Sequence, residues 1–153
     1  MKIFIATDHA GFEMKEELVS FLRASGHETE DCGAYEYHET DDYPDFISQA
    51  AKKVSENSSD KNIRGIILGG SGEGEAMVAN RFPHVRATAY YGGSLEIVKL
   101  SREHNDANIL SLGARFLSAD EAKEAVSLWL ETDFSDEERH VRRIEKIDQL
   151  RVS

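Results

Sequence analysis

The segment IRGIILGGSGEGEAMVANR, residues Ile63 to Arg81, decides the fold. It begins as a short apolar run, Ile63 to Leu68, of the kind that forms a buried strand. It then passes through four glycines, one serine and two glutamates, and continues from Glu75 as a short helix that Pro83 stops. Open α/β sheets place their chemistry at such a junction, just beyond the carboxyl end of a strand. The loop carries no lysine, so it is not a Walker A loop, and the G-x-G-x-x-G spacing fails at Glu75. Glycines here let the backbone approach a ligand and aim several N–H groups at one spot. Those donors suit an oxyanion, with a carboxylate beside them to move a proton. The plainer alternative is a tight turn that uses glycine for conformation alone, but so many glycines carry an entropic cost that needs a reason.

Glu75 falls in the first turn of the helix. The helix N-terminus favours its ionised form and burial opposes it, a balance that suits a general base. An ordinary first-turn glutamate complementing the helix dipole fits the loop equally well. Glu73 is expected to face solvent.

Outward from this segment, strand and helix alternate. Lys2–Ala6 reads as a buried strand, and Gly11–Ser25 as a helix stopped by Gly26. His27–Gly33 reads as a weaker strand, Ala34–Tyr43 as an acidic, aromatic loop, and Pro44 opens a helix to about Glu56. Arg86–Tyr91 and Asn108–Leu112 read as further strands. Helices are expected from Ser94 to about Glu103 and over Ala119–Glu131. A last helix is expected from Ser135, with Ser135 and Glu138 spaced as a capping box. The alternation predicts a five-stranded parallel sheet covered on both faces, a three-layer α/β/α arrangement with an extra C-terminal helix. At 153 residues, with no linker or repeat, one domain spanning 1–153 is expected.

A net charge of −11 argues against nucleic-acid binding and against an anionic membrane surface. A small anionic substrate still fits if cations converge locally. The single cysteine, Cys32, excludes an internal disulfide and suits a reducing compartment. The apolar run before Asp8 is too short for a signal-peptide core or a membrane span, so a cytoplasmic protein is expected.

Four further groups stand out. Asp8-His9 ends the first strand, which sets it beside the glycine loop; a cap explains Asp8 but not His9. His104-Asn105-Asp106 precedes the fifth strand and is expected at the ligand-binding edge, with a plain polar loop as the alternative. Arg139, Arg142, Arg143 and Lys146, with His140, form the one strongly basic patch. Arg139 and Arg143 share a helix face and suit a phosphate dianion, although a solvated charged face explains them too. Arg115, after the fifth strand, is a separate candidate anion contact. His38, Glu39, Asp41 and Asp42 match no metal-site spacing and read as a solvated acidic loop.

Together these pieces resemble the ribose-5-phosphate isomerase B family, which includes the galactose-6-phosphate isomerase subunits. The resemblance runs through Asp8-His9-Ala10-Gly11, Asp42-Tyr43-Pro44, the glycine loop with Ala79-Asn80-Arg81, His104-Asn105-Asp106, Gly113-Ala114-Arg115, and Arg139-His140 with Arg143. It implies a Rossmann-like or flavodoxin-like fold and a homodimer or dimer of dimers with shared active sites. It also implies a metal-free and cofactor-free aldose–ketose isomerisation, by C1/C2 proton transfer through a cis-enediolate. One branch of the family uses a cysteine base where this chain has Gly69. The other uses a glutamate at the loop's end and an earlier serine, matching Glu75 and Ser71.

By the same resemblance His104 opens the sugar ring, and Asp8, His9, Tyr43 and Asn105 bind the sugar. The N–H groups of Gly70, Ser71, Gly72, Glu73 and Gly74 hold the enediolate oxygen. Arg115, Arg139 and Arg143 hold the phosphate, some of them from the partner subunit. Ribose 5-phosphate is the expected substrate. Pocket depth for a pentose or a hexose would be shaped by Tyr35 to Tyr43 and Tyr90 to Ser94. Two other readings remain: a serine hydrolase using Ser71 with His104 or His140, and a non-catalytic sugar-phosphate sensor. The elbow motif of a hydrolase is incomplete, because Glu73 stands where its last glycine should.

Overall fold

Ile66, Ile67 and Leu68 have no solvent exposure at all, as a central strand requires when helices cover both faces of its sheet. The computed structural model describes residues 1–150. Its strands are Lys2–Thr7 (β1), Glu28–Asp31 (β2), Ile63–Gly69 (β3), Ala87–Tyr90 (β4) and Ile109–Gly113 (β5). The helices are Phe12–Ala24 (α1), Tyr43–Glu56 (α2), Glu73–Ala79 (α3), Leu95–Glu103 (α4), Ala119–Glu131 (α5) and Glu138–Asp148 (α6).

All five strands are parallel, in the order β2-β1-β3-β5-β4. The expected three-layer α/β/α fold is present. Side chains alternate across the strands, so the sheet has two cores. Ile66 and Leu68 face α1, α4 and α5, with Leu18, Val98 and the fully buried Trp129. Ile67 faces α2 and α3, with Ile47, Val54 and Ala79.

The sheet grows from β1 to β2 in one direction and from β3 onward in the other, so β1 and β3 flank the switch point where α/β sheets bind ligands. The simple flavodoxin order, 2-1-3-4-5, has its last two strands exchanged here. The exchange sets β5 against β3, with Gly69 opposite Gly113. Arg115 is thereby brought beside the glycine loop, where its N–H donates to the carbonyl of Gly70 at 3.1 Å.

Local hydrogen bonding and turns reset several helix starts; α4 begins at Leu95 with Ser94 as its N-cap, and three others are instructive. His9–Gly11 form a 3-10 turn rather than the first turn of α1, because the Asp8 side chain accepts from Ala10 N at 2.9 Å. Helix α3 begins at Glu73 instead of Glu75, since Gly72 takes a left-handed φ of 80° and serves as its N-cap. Helix α6 begins at Glu138, and the Ser135–Glu138 capping box does not form. Ser135 N is tied to the carbonyl of Glu103, and Asp136 turns the chain with φ 54°, which leaves Ser135 a turn too early. The capping box of this chain lies at Ser118 and Glu121, heading α5. Among the described residues no helix is long and apolar enough to cross a membrane.

Candidate active site

The carboxyl ends of β1, β3 and β5 open into a cleft of about 460 Å³, lined by Asp8, His9, Tyr43, Ser71, Glu75 and Arg115 among others. The backbone of Gly70 and Gly74 lines the same cleft. Two features hold the glycine loop down. Ser111 Oγ donates to the carbonyl of Gly72 at 2.6 Å, and a Cβ on Gly72 would come within 3.0 Å of the Leu112 backbone.

Glu75 is only 4% exposed. Its carboxylate occupies the space beside Gly69: a Cβ at position 69 would lie 1.8 Å from Oε1 and 2.0 Å from Cδ. Gly69 is therefore what admits the carboxylate. Burial pushes the Glu75 carboxyl above the usual carboxylate range, and the nearby charge of Asp8 pushes it the same way. The N–H groups of Glu75 itself and of Gly72 pull it back. Both influences expected at this helix start are thus present, with burial the larger. Glu73 is exposed, as expected, and Ser71 Oγ accepts from its N–H at 3.2 Å.

Tyr43 and Arg115 close the sides. The Tyr43 hydroxyl lies against Gly74, where a Cβ would come within 2.7 Å of it. The Arg115 guanidinium lies over Gly70, 3.2 Å from where a Cβ would be. Phe116 also reaches the cleft and was not anticipated from sequence.

His9 is held by a residue read as part of a solvated loop. Asp41 Oδ1 accepts from His9 N at 3.0 Å and lies 2.7 Å from His9 Nδ1. Its side chain is only 9% exposed, whereas His38 and Glu39 stay exposed. Asp8, His9 and Asp41 bring three atoms of metal-ligand type within 4.8 Å of one another. The His9 nitrogen facing that group is already engaged by Asp41, so the arrangement present is a hydrogen-bonded pair. No periodicity marks Asp41 in its loop; its only sequence signal is that it stands beside Asp42-Tyr43-Pro44.

His104-Asn105-Asp106 does not lie at this edge. All strands of a parallel sheet point the same way, so a helix-to-strand turn must feed the amino end of its strand. The triplet caps α4 and leads into β5 at the amino edge, where Arg86 Nε donates to the carbonyls of Asn105 and Asp106. Asp106 is structural there, pairing with Arg102 at 2.7 Å and Arg86 at 3.1 Å. His104 stacks on His140 of α6, ring centroids 4.3 Å apart. His140 is buried, which together with the neighbouring cations holds its pKa down.

Arg139 and Arg143 are exposed on the same helix, and Arg139 pairs with Glu137 at 2.9 Å. Within one chain the predicted residues thus form two groups. Asp8, His9, Tyr43, Gly70, Ser71, Gly74, Glu75 and Arg115 gather in the cleft, while Gly72 is buried against β5 and Glu73 faces solvent. His104, Asn105, Arg139 and Arg143 gather at the opposite edge, roughly 20 Å away along a seven-residue strand. The two histidines invoked for a Ser71 hydrolase are in the second group, beyond reach of the serine.

A family model described as ribose/galactose isomerase matches residues 3–147. The chain belongs to the ribose/galactose isomerase family. It is an enzyme, a sugar-phosphate isomerase. Ribose-5-phosphate isomerase B of Mycolicibacterium paratuberculosis is 40% identical over 145 residues, covering 95% of this chain and 88% of that protein. Its Escherichia coli counterpart is 36% identical over 149 residues, covering 97% and 95%. Among solved structures, ribose-5-phosphate isomerase B of Mycoplasma genitalium, with bound ribulose 5-phosphate, superposes with a TM-score of 0.91 at 36% identity. That superposition covers 97% of this chain and 94% of the other. The Thermotoga maritima enzyme gives 0.87 at 40% identity, covering 97% and 98%. The fold described above is therefore that of an isomerase of this family.

Proposed function

We propose that this chain interconverts ribose 5-phosphate and ribulose 5-phosphate, with Glu75 as the base. The carrying observation is the Glu75 carboxylate, buried beside Gly69 in a cleft lined by the glycine loop's backbone. Glu75 takes the proton from C2 of the open-chain aldose and returns it to C1, while the O2 hydroxyl proton passes to O1. The Ser71 hydroxyl and the N–H groups of Gly70, Ser71 and Gly74, which line the cleft, hold the enediolate oxygens between the two transfers, the N–H groups of Gly72 and Glu73 being engaged by Glu75 and Ser71. Asp8, His9 and Tyr43 bind the sugar, and Arg115 holds the phosphate from the cleft side. Remote phosphate binding keeps the open chain in place during the chemistry.

The reading includes one catalytic domain over residues 1–153, a cytoplasmic setting suited to the lone Cys32, and no metal or other cofactor. It also includes a homodimer, or a dimer of dimers, in which His104, Asn105, Arg139 and Arg143 of each chain complete the partner's cleft. Their position at the far edge from Glu75 supports that arrangement, since no single chain brings the two groups together. An assay of ribose 5-phosphate isomerisation with chelator present tests the reading. Wild-type turnover with a loss of about 10²–10⁴-fold in Glu75→Gln is expected. Undiminished turnover in the variant removes Glu75 as the base.

A further inference from the structure

Asp41 is a buried carboxylate with no evident structural return. Both hydrogen bonds its side chain makes go to His9, one to the backbone N–H and one to Nδ1, and both use Oδ1. Oδ2 is buried without a partner among the described residues. Leaving a carboxylate oxygen desolvated and unpaired is destabilising, so the fold gains little from Asp41 except control of His9. The loop reinforces that control, because the Tyr37 ring stands edge-on to the His9 ring at 6.3 Å and to Phe12 at 6.2 Å. The other charged group facing the imidazole is Asp8, whose Oδ2 is 3.8 Å from Nδ1. That separation is beyond hydrogen-bond distance, whereas Asp41 Oδ1 lies at 2.7 Å, so Asp41 sets the ring's orientation.

We propose that Asp41 is a positioning residue of this isomerase: its carboxylate fixes His9 in one rotamer and in the Nδ1–H tautomer, which leaves Nε2 as the nitrogen offered to the sugar phosphate. A carboxylate bonded to one ring nitrogen sets the proton on that nitrogen and frees the other for the ligand. The functional part of the inference rests on the isomerase reading above. The tautomer part does not.

Two measurements test it. Nitrogen NMR of the wild-type chain should show neutral His9 as the Nδ1–H tautomer, with that preference lost in Asp41→Ala. Kinetics should show Asp41→Ala lowering kcat/KM for ribose 5-phosphate by about tenfold to a hundredfold. Asp41→Asn should recover most of that loss, because the His9 backbone N–H holds the amide oxygen where Oδ1 was. In a His9→Ala background Asp41→Ala should cost nothing more, as residues acting through one another are non-additive. Neutral His9 found as the Nε2–H tautomer, or an equal kinetic loss with and without His9, overturns the proposal. A wild-type chain that isomerises no sugar phosphate, yet keeps the Asp41-dependent tautomer, overturns the isomerase reading alone and upholds the pair.

Discussion

Glu75 must be ionised to accept a proton, and burial together with Asp8 holds its pKa above the ordinary carboxylate value. The acid limb of kcat/KM is therefore expected above pH 4.5, falling with unit slope as pH drops through the raised value. Replacing Asp8 with Asn removes the like charge, so the limb should move to lower pH whatever happens to the maximum rate; a pH–rate profile of both proteins checks this. The same shift has a stability consequence. A raised native pKa means the folded chain binds more protons than the unfolded one between the two values. Stability then falls as pH rises from the unfolded value through the folded one. Glu75→Gln removes that penalty, so thermal melts at pH 7 should show the variant more stable than wild type, with the difference vanishing in acid. From the glycine loop alone Glu75 reads equally as a base or as a helix-dipole partner, and only the family resemblance singles it out; what the loop did make legible is its place in the first turn of α3 at the cleft. Asp41 was not legible, because a loop without period gives no clue to which carboxylate turns inward.

The central strands were legible because β1, β3 and β5 are short, largely apolar runs, whereas β2, Glu28–Asp31, is polar throughout and was marked only by weak alternation. Helix starts were harder. A serine followed three residues later by a glutamate occurs at Ser118 and at Ser135, and only the backbone before the helix decides which pair closes a box. Ser118→Ala should cost about 0.5–2 kcal/mol of stability in denaturant melts and leave kcat unchanged, since the cap heads α5. The misplacement of His104-Asn105-Asp106 has an equally simple origin. A strand-to-helix turn and a helix-to-strand turn look alike as polar loops, but in a parallel sheet they lie at opposite edges.

One chain presents the buried Glu75 and Arg115 at the carboxyl edge, and a histidine pair with two exposed arginines at the amino edge. An isologous pair can bring one chain's amino edge to the other's cleft twice over, by symmetry. Mixing subunits decides whether it does. Glu75→Gln and His104→Ala homodimers should each be nearly inactive. Random heterodimers should regain roughly a quarter of wild-type activity, because half the dimers are mixed and each mixed dimer holds one intact site of two. If each site were built from a single chain, mixing would restore nothing. This level was the least legible, since a sequence carries no statement of which surface meets its own copy. The net charge of −11 says only that cations must converge locally if the chain is to hold a phosphate, not whether one chain or two supply them.

The contact between Gly69 and Glu75 also constrains how such enzymes can diverge. A side chain at position 69 and an inward carboxylate at position 75 claim the same volume. On the proposed reading, in which Glu75 is the base, single replacements cannot carry the base from position 75 to position 69, because a side chain at 69 displaces the carboxylate before taking over its role. The two replacements must then arrive together, and Gly69 and Glu75 are inherited as one unit.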